Sequence, residues 1–202
     1  MSECDKQLAW LGRLNKIYQP VKGFEYKIKE ERVQGFNRIL DSILDYCGDV
    51  EGQRFLDVGS NLGWFCFQLT ELGAETTGIE LDKRRSDVCK CLSKRDGFEE
   101  GNPRFINGNV VEWLSNTKET FDYVLNLNVF HHILLQNEEK GWDMFNRLIK
   151  DSDIFVMMRN QLKTWRLCDK RTEIPEAVLR VSDASHFMEY PAVHGRAIYV
   201  FS

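Results

Sequence analysis

Apolar positions return every three to four residues in two stretches near the start of the chain. Trp10, Leu11, Leu14, Ile17 and Tyr18 keep that spacing until Pro20. Val33, Phe36, Leu40, Ile43, Leu44 and Cys47 keep it again until Gly48. The pattern predicts two helices, the second closed by a glycine cap. From Arg54 onward, short apolar runs alternate with helical spacing. "RFLDVG" reads as a buried strand, and "LGWFCFQLTEL" as a helix with Leu62, Phe65, Cys66, Leu69 and Leu72 on one face. The strand "TTGIELD" and a charged helix ending near Arg95 follow, then "RFINGNV" as strand and "VVEWLSN" as short helix. "FDYVLNLN" is a strand, "EEKGWDMFNRLIK" a helix and "DIFVMMRN" a strand. Continuous apolar strands separated by helices imply parallel pairing through right-handed crossovers. The tail breaks the alternation: "HFMEYP" and "RAIYVFS" flank "AVHG", which predicts an antiparallel hairpin. The expectation is a three-layer α/β fold, its sheet mostly parallel with a C-terminal antiparallel hairpin. The helices of residues 1–50 pack on a body of residues 51–202, and together they make one structural unit.

The turn after the first strand carries the first chemistry. "DVGSNLG" is D-x-G-x-x-x-G, one glycine short of a dinucleotide fingerprint. In open α/β sheets, ligands bind beyond the carboxyl ends of the strands. Gly59 lets the backbone turn sharply and approach a ligand, and Gly63 lets the helix start pack closely. Free amides at that helix start are expected to favour an anionic group. Glu80, in "GIELD", stands at the next strand end, 21 residues after Gly59, placed to accept hydrogen bonds from two ribose hydroxyls. Leu81 beside it offers an apolar surface to an adenine ring. "NGNV" brings the side-chain amide of Asn109, able to pair with an adenine edge as donor and acceptor, with Val110 next to it.

Asp57 discriminates between nucleotide-like cofactors. A carboxylate two positions before Gly59 repels a pyrophosphate, which disfavours NAD and FAD. It suits a ligand with an α-ammonium and a sulfonium, whose carboxylate is left for the helix amides: S-adenosylmethionine. The alternative is an aspartate that caps local backbone amides.

Composition narrows the setting. With 202 residues and 43% hydrophobic content, the chain can bury one substantial core. A net charge of −4 argues against a broad nucleic-acid surface. Cys4, Cys47, Cys66, Cys89, Cys91 and Cys168 include no C-x-x-C pair, and the four histidines do not cluster with them. No metal site is expected. The cysteines read as reduced thiols of a cytoplasmic protein, with Cys89 and Cys91 facing different ways on their helix. No apolar stretch approaches the roughly 20 residues of a membrane span, and "MSECDKQ" does not read as a signal peptide.

Taken together, "FLDVGSNLG", "GIELD", "NGNV" and "FDYVLNLNVFHHI" resemble motifs I to IV of the class I S-adenosylmethionine-dependent methyltransferases. The resemblance covers Arg54 to Ser202. It implies a Rossmann-like fold with a seven-stranded sheet, in which "RAIYVFS" runs antiparallel beside the fifth strand. Asn61 stands where many members have a glycine, and Asn109 where many have an aspartate. "IYQPVKG", "GAETTGIE" and "VFHHI" further resemble the methyltransferase domain of bifunctional methyltransferase/kinases that terminate O-antigen polysaccharide chains. That likeness implies polysaccharide modification, with methyl transfer to a terminal sugar or its phosphate. The sequence after Met158 lacks the acid expected at the fifth strand end, and no kinase portion is expected within these 202 residues.

Methyl transfer from sulfur requires alignment of acceptor and methyl with water excluded, and a hydroxyl acceptor also needs a base. His131 and His132 follow the fourth strand, where one of them, His132 first, acts as base or anchor. The alternative is capping of the following helix. Asn126 and Asn128 flank the same strand end, to orient the acceptor or the sulfonium, or as polar filler. Tyr18 either closes over the cofactor or packs on the sheet edge. Arg159, Lys163 and Arg166 offer charges to an anionic acceptor or form a solvated face. The expected catalytic set is therefore His132, His131 and Asn128. The expected cofactor set is Tyr18, Asp57, Gly59, Asn61, Gly63, Glu80, Leu81, Asn109, Val110 and Asn126. The reading is a methyltransferase acting on an oxygen of a glycan, a sugar phosphate or a related small molecule. The alternatives are an RNA methyltransferase and an inactive binding protein of the same fold.

Overall fold

The structure is a computed structural model that describes residues 2–157, 174–191 and 197–202. It divides into two compact units, residues 1–110 and 111–202. Its seven strands fall three to the first unit, in the order β3-β2-β1, and four to the second, in the order β4-β5-β7-β6.

The first unit begins with α1 (Glu3–Arg13), started by a reciprocal capping box between Ser2 and Asp5. The helix ends at Arg13 instead of running to Tyr18 as the periodicity predicts. Beyond it, Lys27 Nζ donates to the Leu14 carbonyl at 2.7 Å and the Ile17 amide donates to the Lys27 carbonyl at 3.3 Å. The chain there is bonded to a later segment, not to its own preceding turn. Its apolar residues are buried all the same, Leu11, Ile17 and Val21 packing with Leu62, Val88 and Leu92. Burial mimicked helical spacing without a helix. α2 (Glu30–Cys47) follows, burying Phe36, Ile39 and Ile43, and closes at Gly48 (φ +70°) as expected.

β1 (Arg54–Val58), α3 (Trp64–Glu71), β2 (Glu75–Glu80), α4 (Lys83–Arg95) and β3 (Arg104–Asn107) match the predicted alternation, and α5 (Val110–Asn116) starts at the boundary between the units. β1 pairs in parallel with β2, and β2 with β3. α3 starts at Trp64, so Leu62 is buried ahead of the helix while Leu72, past its end, is largely exposed.

In the second unit β4 (Tyr123–Leu127) and β5 (Asp153–Met157) pair in parallel. β7 (Ala197–Phe201) runs antiparallel to both β5 and β6 (Phe187–Pro191), which bears out the hairpin. The sequence reading missed α6 (Phe130–Gln136) and α8 (Ile174–Val181) and gave α7 (Glu138–Leu148). Phe130, Phe145, Phe155 and Phe201 are fully buried, each contributing on the order of 2–3 kcal/mol of apolar burial.

One expectation is overturned. Cys4 and Cys91 form a disulfide between α1 and α4, with Cα atoms 5.2 Å apart. The two-residue offset on α4 makes Cys89 and Cys91 face different ways, as their spacing implied, both are buried, and Cys91 meets Cys4 of α1. Cys47, Cys66 and Cys89 form no disulfide with any described residue, and Cys168 lies outside the described residues. Reduced thiols were the premise for a cytoplasmic setting, and that premise fails for one pair. Among the described residues no helix is long and apolar enough to cross a membrane.

Candidate functional site

The glycine loop between β1 and α3 has its hydrogen-bond donors already committed. The amides of Gly59 and Ser60 donate to the Ile79 carbonyl at 2.8 and 3.1 Å, and that of Gly63 donates to the Ser60 carbonyl at 2.8 Å. Asn61 N–H donates to Glu80 Oε2 at 2.9 Å. Gln19 Oε1 accepts from Leu62 N–H at 2.9 Å and from Trp64 N–H at 3.3 Å. Every amide from Gly59 to Trp64 thus has a protein acceptor. An acid and a buried glutamine accept the loop amides of Asn61, Leu62 and Trp64, while Phe65 and Cys66, in the first turn of α3, lie outside this set.

The geometry of the loop explains its residue choices. Asn61 sits at φ +55°, a left-handed conformation that asparagine tolerates better than most residues, so it stands in for a glycine. Gly63 is at φ +76°, and a Cβ there would lie 2.7 Å from the Phe105 ring. A Cβ on Gly78, in β2, would lie 2.8 Å from Ser60 Oγ and 2.9 Å from Phe105 Cδ1. Both glycines let the loop seat against the sheet.

Asp57, in β1, is 4% exposed. Burial pushes its carboxyl up to about 8, opposed by a hydrogen bond from the Cys66 thiol at 3.8 Å and reinforced by the charge of Glu80. Burial thus favours the protonated form of Asp57 near neutral pH. Its repulsion of a pyrophosphate is therefore weaker than the sequence suggests. Burial also pushes the Cys66 and Cys89 thiols up, which keeps both as donors. Cys89 donates to the Asn61 carbonyl at 3.3 Å.

Glu80 is buried at the end of β2, with Oε1 accepting from Asp82 N–H at 2.9 Å and Oε2 held by Asn61. Leu81 beside it is 63% exposed, an apolar surface available to a ring. Asn107 Nδ2 donates to the Glu80 and Leu81 carbonyls at 3.0 Å each, fixing this strand end to β3. Asn109, half-buried, and Val110, buried, lead from β3 into α5. Tyr18 is half-buried against α2, edge-on to Phe36 at 5.8 Å and beneath the Arg32 guanidinium at 4.6 Å. The sequence points to Tyr18, while the residue bonded to the loop is its neighbour Gln19. The signal was there: a polar residue between buried Ile17 and Val21, directly before a proline.

The second unit holds the rest of the predicted set. Asn126 lies within β4, 1% exposed, with neither Oδ1 nor Nδ2 bonded to any described residue. Asn128 follows at φ +63°, its amide donating to the Met157 carbonyl at 2.6 Å and its Oδ1 buried without a partner among the described residues. His131 and His132 are in the first turn of α6 and not capping it, their rings 4.0 Å apart, His131 buried and His132 exposed. Arg159, Lys163 and Arg166 lie outside the described residues. Among the described residues no group of three or more His, Cys, Asp or Glu is placed to hold a metal ion.

Residues 56–157 match the methyltransferase-domain family. A ubiquinone biosynthesis O-methyltransferase of Nitrosococcus oceani is 36% identical over 83 residues, which cover 41% of this chain and 34% of that protein. One from Maricaulis maris is 30% identical over 104 residues, covering 49% and 39%. Among solved structures, the bifunctional kinase-methyltransferase WbdD superposes with a TM-score of 0.71 at 19% identity, covering 97% of this chain and 46% of that one. Magnesium protoporphyrin IX methyltransferase (ChlM) from Synechocystis PCC 6803, with bound S-adenosylmethionine, gives a TM-score of 0.62 at 14% identity, covering 99% and 91%. This chain spans 34–39% of the length of those two ubiquinone-pathway enzymes.

Proposed function

This chain belongs to the methyltransferase-domain family, the class I S-adenosylmethionine-dependent enzymes, and from that premise we propose that it methylates an oxygen of a glycan, a sugar phosphate or a related small molecule. The observation that carries the cofactor is the balance of donors and acceptors around the glycine loop. Asp57 and Glu80, buried at the ends of adjacent parallel strands, are acceptors, while the amides from Gly59 to Trp64 are committed. Such a cradle suits a ligand that brings donors, namely an ammonium and two ribose hydroxyls. Bound S-adenosylmethionine supplies an electrophilic methyl on a sulfonium.

Asp57 faces the cationic end of the ligand and Glu80 the ribose. Leu81, Asn109 and Val110 receive the adenine, while Gly59, Asn61 and Gly63 shape the turn and Tyr18 closes the side formed by α2. In the second unit, Asn126 and Asn128 orient reacting groups through amide atoms that have no partner among the described residues. His132 is exposed and takes the proton of a hydroxyl acceptor, with the His131 ring tilted against it at 4.0 Å. Oxygen as the accepting atom is supported by the O-methyltransferase relatives, and a glycan acceptor by the motifs shared with polysaccharide-terminating enzymes. Transfer of labelled methyl from S-adenosylmethionine to a panel of oligosaccharides, sugar phosphates, phenols and RNA tests the reading. Label on a sugar or its phosphate is the expected result. Label confined to RNA or to phenols overturns the acceptor class.

A further inference from the structure

Gln19 belongs to no strand or helix, yet it is 4% exposed and its Oε1 accepts two buried backbone amides, those of Leu62 and Trp64. These lie 43 and 45 residues away, on the loop that shapes the cofactor site. One side-chain atom therefore closes the α3 end of that loop. A helix start normally leaves such donors for water, a cap residue or a ligand. Gly63, at the N-terminal boundary of α3, has no side chain to cap it, and the missing acceptor comes from the N-terminal segment.

The surroundings hold Gln19 in place. Ile17 and Val21, on either side of it, are buried in the same cluster as Leu62, whose amide it accepts. Pro20 restricts the backbone of Gln19 and keeps it out of the helical region. Phe36 sits 5.8 Å from Tyr18 and 5.3 Å from Trp64, so packing bridges the same two segments that the glutamine bonds. If the acceptor is lost, two buried donors are left unsatisfied, and a glycine-bearing turn relieves that by moving.

We propose that Gln19 is a positioning residue for the cofactor: its side-chain oxygen latches the glycine loop into its binding shape and makes cofactor affinity depend on docking of the residue 14–28 segment. The role rests on the S-adenosylmethionine reading above, and it acts through the loop.

The test compares wild type with Gln19→Leu, similar in size without an acceptor, and Gln19→Glu, which keeps one. Titration with S-adenosylhomocysteine and steady-state kinetics are run on each. The expected result is an affinity loss of about tenfold or more in the Leu variant, a matching rise in KM for S-adenosylmethionine, little change in kcat at saturation, and recovery in the Glu variant. Hydrogen exchange on the ligand-free wild type gives an independent readout: the Leu62 and Trp64 amides are expected to exchange slowly. If the Leu variant does not fold, the exchange rates and the Glu variant decide. Fast exchange at both amides in wild type, or unchanged affinity in a folded Leu variant, overturns the latch. A wild-type protein that binds no S-adenosylhomocysteine but protects both amides refutes the cofactor reading and leaves the loop contact standing.

Discussion

The backbone amide of Asn61 donates to Glu80 Oε2 at 2.9 Å, so the acid at the end of β2 holds the turn that follows β1. Replacing Glu80 by alanine removes this tie and, with it, the acceptor proposed for the ribose. Glu80→Ala is expected to weaken S-adenosylhomocysteine binding by about 1–3 kcal/mol, and Glu80→Gln by less because one oxygen remains. Calorimetry on the folded variants checks this, and equal affinity in all three proteins would remove Glu80 from the site.

Asp57 gives the site a pH dependence with a defined sign. Its carboxyl is raised to about 8 in the ligand-free protein, so between the ordinary carboxylate value and about 8 the folded state holds a proton that the unfolded chain releases. Stability of the ligand-free protein should therefore fall as pH rises through that window, and Asp57→Asn should flatten the fall. A bound cation requires the carboxylate, so ligand binding should release a proton. Affinity for S-adenosylhomocysteine should rise from pH 5.5 to 7, by at most about tenfold per unit, while the ligand's own ammonium stays charged. Titration in buffers of different ionisation enthalpy counts the proton. A count of zero in wild type would contradict the assignment.

Gly63 and Gly78 make a prediction about stability. Gly63→Ala meets both a left-handed φ of +76° and the Phe105 ring at 2.7 Å, and Gly78→Ala meets Ser60 and Phe105 below 3.0 Å. Each should cost about 1–3 kcal/mol. Thermal unfolding measures it, and the contrasting Gly97→Ala, with nothing within 4 Å, should lose only the cost of its positive φ.

His132 is exposed on the first turn of α6, so its loss should spare the fold. If it takes the acceptor's proton, His132→Ala lowers kcat by about 10²–10⁴ and leaves cofactor affinity within about twofold. Equal losses in both would assign it a structural part.

Legibility in the sequence followed physical type. The strands were readable because buried parallel strands are continuous apolar runs, and "RAIYVFS" was correctly placed antiparallel beside β5. The periodicity overextends α1, because Ile17 and Tyr18 fit a helical period while the Ile17 amide donates to the Lys27 carbonyl. The positions of Asp57, Glu80 and the glycine turn at the ends of adjacent strands are legible as a local motif. Gln19 was not, since its partners are 43 and 45 residues away and periodicity carries no long-range information. The Cys4–Cys91 disulfide was missed for the same reason, joining residues 87 apart. The protonated state of Asp57 depends on burial and on Cys66 and Glu80 together, which only the packed strands bring about.

The central claim is that an acceptor-rich, amide-committed loop binds an ammonium-bearing nucleoside and not a pyrophosphate. Parallel calorimetric titrations of the wild-type protein with S-adenosylhomocysteine and with NAD test it most directly. Saturable heat with the first and none with the second is the predicted result. Binding of NAD, or silence with S-adenosylhomocysteine from a folded protein, would contradict it.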